Sequence, residues 1–123
     1  MKTIAVILLL TVLMACQPSQ GSQGNLQPAP GAEIKTFNVE AFQFGYEPSE
    51  IRVKQGDVVR IHLTTRDVAH SFSIKQFQFS IPTSPGVPGD GEFIADTAGA
   101  FPWRCNIPCG AGHREMGGTL VVE

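Results

Sequence analysis

Between Ile34 and Val122 apolar and polar residues alternate in short runs, and the dominant period is two. Ile51 and Val53 alternate with Arg52 and Lys54, and Val59, Ile61 and Leu63 alternate with Arg60, His62 and Thr64. Each run has the pattern of a half-buried strand, and Gln55-Gly56-Asp57 between them is a turn, so the two predict a strand pair. His62 falls on the wet face and reads as surface decoration, not as a ligand. Ile34 to Phe44 is rich in β-branched and aromatic residues and predicts a strand that Gly45-Tyr46-Glu47-Pro48 ends as a turn. Ser71 to Phe79 continues the alternation through Phe72, Ile74, Phe77 and Phe79. Residues 82–91 carry so many prolines and glycines that they predict a loop. Further strands are expected at Glu92 to Thr97, Phe101 to Arg104 and Thr119 to Val122. Strand-sized runs joined by turns predict an all-β domain from Ala32 to Glu123, a β-sandwich or small barrel.

Composition narrows this picture. Hydrophobic residues are 42% of the 123, charged residues only 16%, and the 13 glycines and 9 prolines suit many turns. Nine bases against eleven acids give a net charge of −2, which leaves no basic surface for nucleic acid. The apolar run from Ile4 to Met14 is too short to span a bilayer and predicts a secretory signal segment. Leu13-Met14-Ala15-Cys16 looks like a bacterial lipobox, so residues 1–16 are expected to be a lipoprotein signal with Cys16 the lipidated residue. Residues 17–31 are uncharged and rich in Gln, Ser, Gly and Pro, a flexible linker with a span of roughly 20 Å. The domain is then expected outside the cytoplasm, held at a membrane by its anchor. Thiols there are normally oxidised, so the two cysteines of the domain need a reason to persist.

That reason lies in Cys105-Asn-Ile-Pro-Cys-Gly-Ala-Gly-His-Arg-Glu-Met116. Cys105, Cys109, His113 and Met116 would share one face of a helix, but Pro108 and the glycines at 110 and 112 place them instead on a compact loop between two strands. Thiolate, imidazole and thioether are soft or borderline donors, a mixture that selects copper. His70, just ahead of the Ser71 strand, is a further candidate from a neighbouring strand end. Cys109, His113, Met116 and His70 suffice for a mononuclear electron-transfer copper. Cys105 is then surplus unless two thiolates bridge two coppers, each metal with one histidine, Met116 weakly on one and a carbonyl of the 105–109 segment weakly on the other. A mononuclear blue-copper site, a copper delivery or storage site and a Cys105–Cys109 disulfide stand beside that reading.

This loop, with Asp67-Val68-Ala69-His70-Ser71-Phe72, the FGYEP segment and the final GGTLVVE, resembles the binuclear copper (CuA) domain of cytochrome c oxidase subunit II, which nitrous oxide reductase shares. The resemblance runs from about Phe37 to Glu123. It implies a cupredoxin-like Greek-key β-sandwich, with Cys105 and Cys109 as bridging thiolates and His70 and His113 as terminal imidazoles. Met116 is then the weak thioether ligand and Ile107 the weak carbonyl ligand. The implied role is respiratory electron transfer, from a cytochrome c or cupredoxin donor to a terminal oxidase or reductase. With no open coordination position expected at the metal, the chain alone is not a complete enzyme. The sequence departs from the family in three respects. A signal and tether stand where membrane-spanning helices are usual, Ile107 stands where many members carry glutamate, and no dense aromatic and acidic docking surface is visible. Trp103, two residues before Cys105, reads as a core aromatic or as a step on an electron path.

Overall fold

The structure, a computed structural model, describes residue 28 and residues 30–123. The expected signal segment, Cys16 and most of the expected linker lie outside them. The described chain forms two packed sheets. Its strands are β1 (Ile34–Phe42), β2 (Gly45–Glu47), β3 (Glu50–Val53), β4 (Val58–Thr65), β5 (His70–Ile74), β6 (Phe79–Thr83), β7 (Gly89–Ile94), β8 (Gly99–Arg104) and β9 (Gly117–Val122). One sheet has the order β2-β1-β4-β7 and the other β3-β9-β8-β5-β6. The β1–β4 and β3–β9 pairs are parallel and the others antiparallel. The alternation seen in the sequence places Val59, Ile61, Leu63, Phe72, Ile74, Trp103 and Leu120 between the sheets. Among the described residues no helix is long and apolar enough to cross a membrane.

Four expectations are corrected. The strands on either side of Gln55-Gly56-Asp57 are not a pair, because the turn carries the chain from one sheet to the other. β3 joins β9, while β4 lies between β1 and β7. Asp57 holds that crossing, its buried carboxylate accepting from the backbone N–H groups of Lys54 and Glu33. Second, Gly45–Glu47 is strand, not turn. The turn is Gln43-Phe44, which folds β2 back on β1 and buries Tyr46 in the core.

Third, Ser71–Phe79 is not one strand but two, divided by a 3-10 turn at Lys75–Phe77 with Gln78 left-handed at φ 50°. Fourth, residues 82–91 are loop only in their middle. Pro82 lies in β6, the outermost strand of its sheet, where a missing N–H costs least. Gly89 and Gly91 belong to β7, where it passes close under β6 from the other sheet. A Cβ on Gly89 would lie 2.1 Å from the Pro82 carbonyl oxygen, and one on Gly91 would lie 2.9 Å from Ile81 and Phe79. These glycines permit close sheet contact. His62 points outward, as its register predicts, and pairs with Asp90 across the strand at 2.6 Å.

Candidate metal centre

One end of the sandwich collects the rare side chains. His70 opens β5, Cys105 follows the last residue of β8, and Met116 immediately precedes β9. The segment between Cys105 and Met116 is the compact connection expected, with a single 3-10 turn at His113–Glu115. The ligand-capable atoms of His70, Cys105 and Cys109 lie within 4.8 Å of one another. Cys105 Sγ is 4.0 Å from His70 Nδ1 and 3.2 Å from the Ile107 carbonyl oxygen. Cys109 Sγ is 3.4 Å from His113 Nδ1 and 3.7 Å from Met116 Sδ. All six candidate positions of the domain therefore converge. His70, Cys105, Cys109 and Met116 are buried, while His113 and Ile107 are partly open to solvent. Both thiols are free, so the disulfide alternative is not what the fold holds.

Contacts from three other segments fix this arrangement. Asp67 Oδ1 is 2.7 Å from His70 Nε2, which turns Nδ1 toward Cys105. The backbone N–H groups of Gln43 and Val68 donate to the same carboxylate at 2.7 and 2.6 Å. Partial burial pushes the Asp67 carboxyl up, but the bonds from Gln43, His70 and Val68 outweigh it and hold the group down to about 2. Ser71 and Asn106 tie β5 to the start of the loop, with the Asn106 N–H donating to Ser71 Oγ at 2.8 Å. Asn106 Nδ2 donates to Ser80 on β6 at 3.2 Å. Gln43 Nε2 donates to the Cys109 carbonyl at 2.5 Å.

Gly110 and Gly112 have a second purpose besides bending the chain. Phe44 packs across them, and a Cβ at Gly112 would come within 2.4 Å of its ring. Asp67, Gln43 and Phe44 are thus positioning residues that sequence reading did not assign. The Asp placed three residues before His70 was a usable sign for the first, and the Gly-Ala-Gly spacing hinted that something large lay over the loop. Burial, with the nearby Cys105, pushes the Cys109 thiol up to about 11. Burial likewise raises Tyr46, whose hydroxyl donates to the Ser71 carbonyl at 2.5 Å beneath the site. Trp103 is a core aromatic, stacked on Phe72 at 4.8 Å and edge-on to Tyr46 at 5.8 Å. Its Nε1 has no partner among the described residues.

Chemically the cluster offers two thiols, two imidazoles, a thioether and a carbonyl in a largely dry pocket. That donor set fits copper and suits neither calcium nor magnesium.

Residues 38–123 match the family model described as cytochrome c oxidase subunit II, periplasmic domain. Cytochrome c oxidase subunit 2 of Thermus thermophilus is 35% identical over 93 residues, covering 76% of this chain and 69% of that one. Against a second, longer subunit 2 sequence from the same species, also 35% identical, the chain spans 55% of the relative's length. Among solved structures, a chain of a heme-copper terminal oxidase dimer superposes with a TM-score of 0.66 at 27% identity, covering 72% of this chain and 65% of that one. Auracyanin A, a blue copper protein of Chloroflexus aurantiacus, superposes at 0.61 with 15% identity, over 73% of this chain and 99% of that one, a likeness of fold alone. The fold is thus cupredoxin-like, and the chain belongs to the cytochrome c oxidase subunit II family, of whose periplasmic domain it carries the fold and the match.

Proposed function

We propose that this domain transfers electrons through a binuclear copper centre as part of, or in service to, a heme-copper terminal oxidase outside the cytoplasm. The observation that carries the reading is the pairing of two unbonded thiols with two separate imidazoles, Cys105 beside His70 and Cys109 beside His113. A single copper needs one thiolate and leaves Cys105 unemployed, whereas two metals use every donor present. Cys105 and Cys109 would bridge, His70 and His113 would each cap one metal, and Met116 and the Ile107 carbonyl would complete the pair. Bound there, copper supplies reversible one-electron chemistry. The chain's own residues hold the donors in place, keep solvent from all but the His113 and Ile107 sides, and turn the correct nitrogen of His70 inward through Asp67.

The electron donor on this reading is a cytochrome c or a cupredoxin and the acceptor the oxidase. Cys16 is proposed as the lipid attachment that keeps the domain near that acceptor, on the strength of Leu13-Met14-Ala15-Cys16. The test is to reduce the protein, load it with copper, and record metal stoichiometry with the electron paramagnetic resonance spectrum. Two coppers per chain sharing one unpaired electron are expected. One copper with a single-nucleus spectrum overturns the binuclear reading, and a loaded protein that does not cycle reversibly overturns electron transfer.

A further inference from the structure

Lys35, Arg52, Arg60 and Arg66 are each paired with a carboxylate. Lys75, Arg104 and Arg114 are exposed and, among the described residues, form no ion pair. Lys54 is also unpaired, but it lies in a separate hollow beside Asp57 and Glu123. Lys75 and Arg104 line one cleft, and Arg104 leads directly into the loop that carries the thiols. Arg104 immediately precedes Cys105 and its guanidinium reaches the Arg114 carbonyl at 3.4 Å, which brings the two residues to one edge. Lys75 and Arg104 flank a cleft of about 560 Å³ on the outer face of β5, β6 and β8. Phe79 and Pro102 contribute its apolar wall, Asn106 lies at the side nearest Cys105, and none of its lining residues is acidic. Lys75 and Arg104 are the only charged residues that line it, so the cleft itself is positive.

We propose that this cleft is the docking site for an acidic, apolar-surfaced segment of the electron-transfer partner, a proposal that rests on the electron-transfer reading. Two features of the cleft favour that occupant. Its charge is opposite to the chain's net −2, so a partner steered by net charge alone would be basic, while one that reads this face must be acidic. Its position is also direct. Asn106 bonds Ser71 and Ser80 across the cleft margin and is covalently next to Cys105, so a segment seated there lies one residue from a thiol of the site. Apolar walls with a basic rim match the usual composition of an interface core and its polar margin.

The experiment titrates the reduced, copper-loaded full chain with an acidic c-type cytochrome and, separately, with a basic one, following backbone amide shifts. The acidic protein is expected to move the amides of Ser73, Lys75, Ser80, Arg104 and Asn106. Its affinity should fall at least tenfold, on the order of known steering effects, as salt rises from about 0.01 to 0.15 M and the Debye length shrinks from about 30 to 8 Å. Lys75→Glu and Arg104→Glu should each weaken it severalfold, Lys75 standing clear of the loop so that a folding defect is not a competing cause. Preference for the basic cytochrome on these residues, or charge reversals without effect, overturns the proposal. So does a response to anionic phospholipid vesicles with none to the acidic cytochrome. Stopped-flow electron transfer in the same mixtures separates the two readings. Binding in the cleft without transfer sinks electron transfer and keeps the docking site, whereas transfer with unmoved cleft amides does the reverse.

Discussion

Asp67→Asn is the sharpest test of how the centre is held. The carboxylate accepts three short hydrogen bonds, from Val68 N–H and His70 Nε2 at Oδ1 and from Gln43 N–H at Oδ2, besides a long one of 3.5 Å from the Thr65 hydroxyl. An asparagine of the same shape has only one acceptor oxygen. If that oxygen serves Val68 and His70, the amide nitrogen faces the Gln43 N–H, donor against donor. If it serves Gln43, the amide nitrogen faces His70 Nε2, which then accepts and moves the ring proton to Nδ1, the nitrogen nearest Cys105. Either way one bond is lost and a donor is stranded in a partly buried site, at a cost of about 1–3 kcal/mol. Copper affinity should fall roughly 10- to 100-fold, the usual consequence of losing an outer partner of a metal-binding histidine. Chelator competition measures the affinity, and urea denaturation of the copper-free protein measures the stability. The depressed carboxyl also sets a pH window. Its stabilisation is present above the ordinary value of 3.8 and is lost as pH falls through about 2, so the acid unfolding limb should be shallower in the variant. A variant whose copper affinity stays within twofold of the parent refutes the positioning role of Asp67.

Four further outcomes are expected. Gly118→Ala places a Cβ 2.1 Å from the Trp103 ring and 2.7 Å from the Ser49 carbonyl oxygen, so urea denaturation should show a loss of at least 1–3 kcal/mol, the usual range for overpacking. Met116→Leu keeps the buried volume and should cost less than about 1.5 kcal/mol, yet raise the midpoint potential in voltammetry, because the more highly charged oxidised site loses a donor. An unchanged potential would remove Met116 from the ligand set. With the Cys109 thiol held up to about 11, copper must displace its proton at neutral pH, and apparent affinity should climb at least tenfold per pH unit between roughly pH 6 and 8. The same raised thiol stabilises the copper-free fold below its ordinary 9.0, and that contribution disappears as pH rises through about 11.

Period-two alternation made the strands legible, because a residue's side of a sheet is written in its own neighbourhood. Strand partners are not written there. Gln55-Gly56-Asp57 looks the same whether it closes a hairpin or passes between sheets, and only Asp57's reach to the Glu33 N–H, far off in sequence, shows which. Residues 82–91 misled for a related reason, since Gly89 and Gly91 are there for contact with β6 and not for flexibility. The donors were legible because cysteine, histidine and methionine are scarce and all the donor side chains but His70 crowd into twelve residues. Asp67, Gln43 and Phe44 are common residue types whose importance comes from contacts with distant segments, and the local signs of them, Asp67 three residues before His70 and the Gly-Ala-Gly spacing, do not name the contacts.

The same contacts bear on how firmly a metal would be kept. His70 and Met116 are fully enclosed, the first at the start of β5 and the second against the start of β9, so neither can leave the pocket while the sheet is intact. Cys109 is held from outside by Gln43, and the Cys105 end by the Ser71–Asn106–Ser80 bonds. The 3-10 turn carrying His113 follows the loop rather than a strand and stands partly open. Its backbone bonds are long, 3.2 to 3.3 Å, which makes it the segment that opens at least cost. His113 is therefore the donor expected to leave a bound metal first, while the other donors stay in register. A site built so can gain or lose an electron with little rearrangement, but it surrenders copper slowly. That combination favours electron transfer over metal delivery.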